Sequence, residues 1–166
     1  MTKAVQDLMV EVERVRDAFV AALLRPDPGA VHALLAPDAR LEIDPVGIVV
    51  TGADAIRDHV AERIVPGRPA DLAVRQRSRT GDRWRVVDEA TATFTHDREV
   101  PWLLPGVPGT GRGVEVDLLT VVGVRRSRIT RARLVWDLLG LADQLGLDAD
   151  ALPRRRPLLT DAAPGA

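Results

Sequence analysis

From position 72 onward the chain alternates. The stretches "LAVRQRSRT" (72–80), "RWRVVDEATATFTHD" (83–97), "VEVDLLTVVGVRR" (114–126) and "RITRARLVWD" (128–137) change polarity from one residue to the next. Successive side chains of a strand point to opposite faces, so each run is a strand with one apolar and one wetted face. Gly81-Asp82 between the first two is a hairpin signal, and the last two join near Ser127. Four long strands with one apolar face must be covered by something.

The first half of the chain supplies the cover. Val5, Leu8, Met9, Val12, Val15 and Phe19 follow helical spacing and form one stripe over 5–24. "RPDPG" (25–29) ends that helix, and 30–36 reads as a second, short one stopped at Pro37. Two short strands, 39–44 and 47–52, flank Pro45, and 52–65 is helical with Ile56, Val60 and Ile64 on one face. A Pro- and Gly-rich loop interrupts the strands at 98–112, and 138–147 is a final helix. This order predicts an α+β fold: a curved, mostly antiparallel sheet with helices across its concave face, enclosing a conical apolar pocket. Residues 1–150 are expected to form one domain. Residues 151–166 have no periodicity and are expected to be a flexible tail.

Composition narrows the chemistry. The formal net charge of −1 gives no broad attraction to nucleic acid or acidic membranes. No apolar run approaches the roughly 20 residues of a membrane span. The N-terminal stretch is interrupted by acids, so the expectation is a cytoplasmic protein. Cys, Tyr and Asn are absent, Ser occurs only at Ser78 and Ser127, and the His residues, His32, His59 and His96, are widely spaced. No metal site and no cofactor is therefore expected, and acid–base chemistry falls to Asp, Glu and His.

Several residues invite two readings. Asp137 stands between a strand and a helix, where an N-cap is the ordinary role. His96 ends a strand, where a solvated ring is ordinary. Asp44 precedes Pro45, a common turn start. Glu89 and Asp117 lie in alternating strands and are carried as pocket candidates, although alternation also allows them to face solvent. Trp84 and Trp136 suit core packing, yet both are kept as pocket candidates. Trp102, with Leu103 and Leu104, lies in the loop "EVPWLLPG" and suits a pocket gate, an oligomer contact being the competing account. His32 and His59 look like packing or surface residues.

The stretch "THDREVPWLLPGVPGTGRGVEVDLLTVVGVRRSRITRARLVWDLLGLADQLGL", with Thr95-His96, "GVPGTGR" and "WD..GL..QLGL", resembles the SnoaL-like polyketide cyclase family of the nuclear transport factor 2-like superfamily. The stretch "APDARLEIDPVGIVVTGADAIRDHV" resembles that family's β–turn–β–helix entry. The resemblance covers about 15–147 and implies a cone-shaped fold and a homodimer joined through sheet faces. It implies that Asp137 is a pocket acid or base, His96 a polarising group and Asp44 a secondary acid or base. Where aldol-type cyclases carry a His two residues before that Asp, this chain has Val135. The missing Tyr and Asn also remove the oxyanion donor of ketosteroid isomerases and the water-positioning pair of limonene epoxide hydrolases. The resemblance thus implies a cofactor-independent cyclase for an apolar, polyketide-like small molecule, with pericyclic or oxa-ring closure ahead of aldol closure. An isomerase, dehydratase or epoxide hydrolase, or a non-catalytic carrier of a hydrophobic ligand, is the alternative.

Overall fold

The computed structural model describes residues 2–148, 150 and 152. Helix α1 (Lys3–Leu24) and helix α2 (Pro28–Leu34) lead into strand β1 (Leu35–Ile43) and strand β2 (Ile48–Thr51). Helix α3 (Ala53–His59) runs on into a π-helical turn, Val60–Ile64. Strands β3 (Ala73–Gly81), β4 (Arg85–Thr95), β5 (Gly113–Arg125) and β6 (Arg128–Trp136) follow, and helix α4 (Leu138–Leu145) comes last. The mixed α+β architecture is the expected one. Of the expected tail, only Leu152 lies among the described residues, and it is buried.

All six strands form one sheet in the order β2–β1–β6–β5–β4–β3. Every pair is antiparallel except β1 with β6. The inward face carries Val86, Ala90, Ala92 and Phe94 of β4, and Val116, Leu118 and Val122 of β5, all buried. Helix α1 covers this face with Val12, Val15, Phe19 and Ala22, the spacing of one helical stripe.

Local signals explain most boundaries. Asp27 caps α2 by accepting from the Ala30 N–H at 2.9 Å, and Pro28 follows it at the first helical position. At the β3–β4 hairpin, Asp82 accepts from the N–H groups of Trp84 and Arg85 at 2.6 and 2.9 Å. β1 starts earlier than the alternation suggests and contains Pro37. The strand tolerates that proline because the β1–β6 register jumps between Leu35 and Arg40, leaving the intervening residues outside the ladder. The π-helical turn is closed by Val65 N–H donating to Val60 at 2.9 Å. None of the described helices is long and apolar enough to cross a membrane.

Candidate functional site

Between α1 and the inward face of the sheet lies a cavity of about 160 Å³. Helix α1 contributes Phe19, Val20, Leu23 and Leu24, while Leu41, Ile43, Ala90, Ala92 and Leu118 form the floor. Ile64, Leu72, Val74 and Trp102 complete the wall. The expected apolar pocket on the concave face is present.

The polar groups at this cavity are not the ones anticipated. Asp88 sits on the inward face of β4 and is 1% exposed. Its carboxylate meets Arg16 Nε of α1 at 2.6 Å and Arg79 Nε of β3 at 2.7 Å. Asp17 joins the same two guanidiniums, accepting from Arg79 at 2.7 Å and from Arg16 at 3.0 Å. Hydrogen bonding from Arg79 holds the Asp17 carboxyl below its usual value, although burial pushes the other way. Arg16 lines the cavity, and so does Thr120, which pairs with Asp88 across the β4–β5 ladder. Thr120 Oγ1 is buried without a hydrogen-bond partner.

The anticipated acids and bases lie elsewhere. Asp137 is exposed and N-caps α4, accepting from the Gly140 N–H at 3.0 Å. Gly140 leaves room for the cap, since a Cβ there would stand 2.4 Å from Asp137 Oδ2. Asp137 borders surface depressions with Glu115, Asp117 and Gln144, and it does not line the cavity. Asp44 is buried and accepts from Arg133 Nε at 2.8 Å; Arg133 reaches the cavity lining and Asp44 does not. Asp44 borders neither depression of Asp137, so the two acids share no surface.

His96 is fully buried and outside the cavity lining. Thr110 N–H donates to its Nδ1 at 3.3 Å, and Thr110 Oγ1 stands at the same distance from that nitrogen. Its carbonyl accepts from the Thr110 and Gly111 N–H groups at 2.8 Å each. His96 thereby ties the Pro/Gly loop to the end of β4. Burial holds its imidazole below the ordinary histidine value, with Asp97 pulling weakly upward.

Of the anticipated substrate contacts, Trp102 lines the cavity. Leu103 and Leu104 are fully buried behind it in the core. Trp136 is buried on the inward face but outside the lining, and Trp84 is 38% exposed, with the Arg125 guanidinium 4.1 Å above its ring. Glu89, Asp117 and Val135 point to the outer face. Glu89 accepts from Ser78 Oγ at 2.9 Å, and Asp117 accepts from Arg77 at 3.0 Å and from Thr91 at 2.9 Å. Alternation places them: a residue one position away from an inward-facing one faces out. The same rule flags the carboxylate that was missed. In "RVVDEATATFT" Val86, Ala90, Ala92 and Phe94 share one parity against Val87 alone on the other, and Asp88 falls in the apolar set while Glu89 does not. His32 pairs with Asp54 at 3.1 Å, and His59 is half-buried. Among the described residues no group of three or more His, Asp or Glu is placed to hold a metal.

The sequence profile of the SnoaL-like domain matches residues 16–132. Solved structures share the fold. A candidate SnoaL-like polyketide cyclase from Jannaschia sp. CCS1 is 19% identical, with a TM-score of 0.70 over 85% of this chain and 95% of that one. IdmH, a candidate polyketide cyclase from Streptomyces antibioticus, is 21% identical, with a TM-score of 0.63 over 81% and 98%. An LEH-like epoxide hydrolase from M. tuberculosis is 20% identical, with a TM-score of 0.62 over 82% and 90%. No curated protein matches the chain in sequence.

Two outcomes follow from these positions. Asp137→Ala should lower stability by about 1 kcal/mol, the usual worth of an N-cap, and Asp137→Asn by only a few tenths. Urea unfolding measures both; a large loss of turnover in the stable Asn variant would restore Asp137 to the chemistry. His96 gives a pH signature. Its folded value is depressed, so its burial costs nothing above the unfolded value of 6.5 and destabilises as pH falls below it. The thermal midpoint should therefore drop between pH 7.5 and 5, with half-buried His59 acting in the same direction. His96→Gln should flatten that drop, and an unaltered pH profile in the variant would exclude His96 as its source.

Proposed function

The chain belongs to the SnoaL-like domain family, and from that membership and the shape of its cavity we propose a cofactor-independent enzyme that closes a ring in a small polyketide-derived intermediate. One observation carries the choice of chemistry. Among the described residues no carboxylate lines the cavity, while Arg16 and Thr120 offer hydrogen-bond donors to it. Aldol closure and double-bond migration need a base within reach of a C–H proton. Asp88, an inward carboxylate of β4 beside the lining residues Arg16 and Thr120, is held between two guanidiniums. A pericyclic closure needs no base. It needs the reacting ends held together, which contributes several kcal/mol, and a donor to polarise a carbonyl. Arg16 ion-pairs with Asp88 at Nε and donates to Asp17 from one terminal nitrogen, and a guanidinium has further N–H groups for that purpose. Oxa-ring closure ranks behind it, because the attacking hydroxyl would have to lose a proton.

Size also bears on the substrate. A volume of about 160 Å³ is near that of engineered cavities that accept benzene and well below the roughly 300 Å³ where drug-sized pockets begin. The substrate folds into one ring's worth of space, with any remainder extending past Trp102. The lack of a lining carboxylate equally favours a second reading, a carrier that binds such a molecule without converting it. Pairing of two chains through the outer face belongs to the same proposal, because Leu119 is 38% exposed there beside half-buried Val121 and Val135. A monomer in light scattering at micromolar concentration would overturn it.

The first experiment compares host metabolites with and without the gene. Accumulation of an uncyclised isomer of identical mass is expected. A difference of one water would instead mean a hydrolase or dehydratase, and an unchanged metabolite set would favour the carrier. With the isomer in hand, Thr120→Val should keep or raise the thermal midpoint, since it removes an unsatisfied buried hydroxyl. The same variant should slow closure by about tenfold or more, and an unchanged rate would exclude Thr120 from the chemistry.

A further inference from the structure

Three cations border the cavity: Arg16, Arg68 and Arg133. Two are neutralised. Arg16 and Arg79 share Asp88 and Asp17, two cations against two anions. Arg133 is matched by Asp44. Arg68 meets no carboxylate among the described residues, and its Nε is buried without a partner. Among the described residues the cavity wall therefore carries one uncompensated positive charge beside an apolar interior.

Unpaired polar atoms tell the same story. Four lining residues each bury one without a hydrogen bond: Arg16 Nε, which has the Asp88 carboxylate 2.6 Å away as its ion-pair partner, and, with no such partner, Arg68 Nε, Trp102 Nε1 and Thr120 Oγ1. Arg68 Nε and Trp102 Nε1 can only donate, and Thr120 Oγ1 can donate. Buried polar atoms are ordinarily paired, so these three donors around one apolar cavity call for an acceptor that the described residues do not supply. Trp102 is itself nine-tenths buried.

The chain also holds Arg68 and Trp102 together. Gly67, next to Arg68, packs on Pro101, next to Trp102. A Cβ on Gly67 would lie 2.2 Å from Pro101 Cδ and 2.9 Å from the Arg63 carbonyl oxygen. Leu103 and Leu104, fully buried, anchor the Trp102 segment from behind. The two donors thus sit on touching segments whose approach requires glycine.

We propose that the ligand of this cavity is a small apolar carboxylate, its ring or chain inside and its carboxylate held by Arg68 with help from Trp102. A guanidinium binds a carboxylate through two parallel N–H bonds, and a partly dry setting strengthens them. This rests on the reading of the cavity as the functional site and specifies the class of molecule it takes.

Benzoate, benzamide and toluene test it by NMR titration of the full chain. All three offer the same ring, and only benzoate carries the anion. Toluene reports the apolar cavity alone. Benzoate should bind at least about tenfold more tightly than benzamide and compete with toluene. Arg68→Met should reduce benzoate affinity about tenfold or more and leave toluene affinity and the thermal midpoint unchanged, since Arg68 has no ion pair among the described residues to lose. Toluene binding with no preference for benzoate, or a preference that survives Arg68→Met, would overturn the carboxylate assignment while leaving the cavity reading intact. Failure of toluene and benzoate alike to bind would overturn both.

Discussion

The structure depends on how one buried carboxylate is neutralised. Asp88 is 1% exposed in an otherwise apolar row of β4. An ionised carboxylate there is tolerable only with matched cations, and removing one partner of such a group typically destabilises by about 3–5 kcal/mol. Arg16 comes from α1 and Arg79 from β3, so satisfying Asp88 fixes the helix against the sheet and the edge strand against β4. Asp17 closes the network one residue along α1. Apolar burial alone would allow α1 to slide along the sheet, since its stripe is uniform. The ion-paired network selects one position, and the cavity is the space left beside it.

That origin explains the character of the cavity. The network supplies an Arg16 guanidinium already balanced by carboxylates, so the helix side of the wall presents donors without net charge. The opposite rim is built by two segments that meet at Gly67 and Pro101. Their charge, on Arg68, has no internal counterpart among the described residues. The interior is consequently apolar and donor-rich, and lining acids are lacking among the described residues. This is an unusual set of materials for proton abstraction and a suitable one for orienting a ligand and polarising an oxygen on it.

The outer face obeys different physics. Glu42 bridges Arg40 at 2.5 Å and Arg131 at 2.6 Å. Burial raises the Glu42 carboxyl, but the hydrogen bonds from Arg131 and Arg40 outweigh it and hold the group below its usual value. Glu89 and Asp117 serve similar cross-strand contacts. These acids support the sheet and are separated from the cavity by its thickness. Asp137 lies outside the cavity lining for a comparable reason. Val135 and Asp137 alternate with Leu134 and Trp136 of the inward set, so the strand delivers Asp137 to the outer side, where α4 uses it as a cap.

Sequence alone determined the elements and their faces. A period near 3.6 marked α1 and a period of two marked β3 to β6, because those repeats are local properties of backbone geometry. The cap role of Asp137, the hairpin at Asp82 and the inward parity of Asp88 were all legible on the same grounds. Only the tertiary structure decided which charges meet. Arg16 and Asp88 are distant in sequence and belong to elements of different type, and Gly67 reaches Pro101 across a sheet and a loop. Such contacts depend on the register of β4 and β5, on the bulge around Pro37 and on where α1 comes to rest. Those are set by packing over the whole core, which no local pattern encodes.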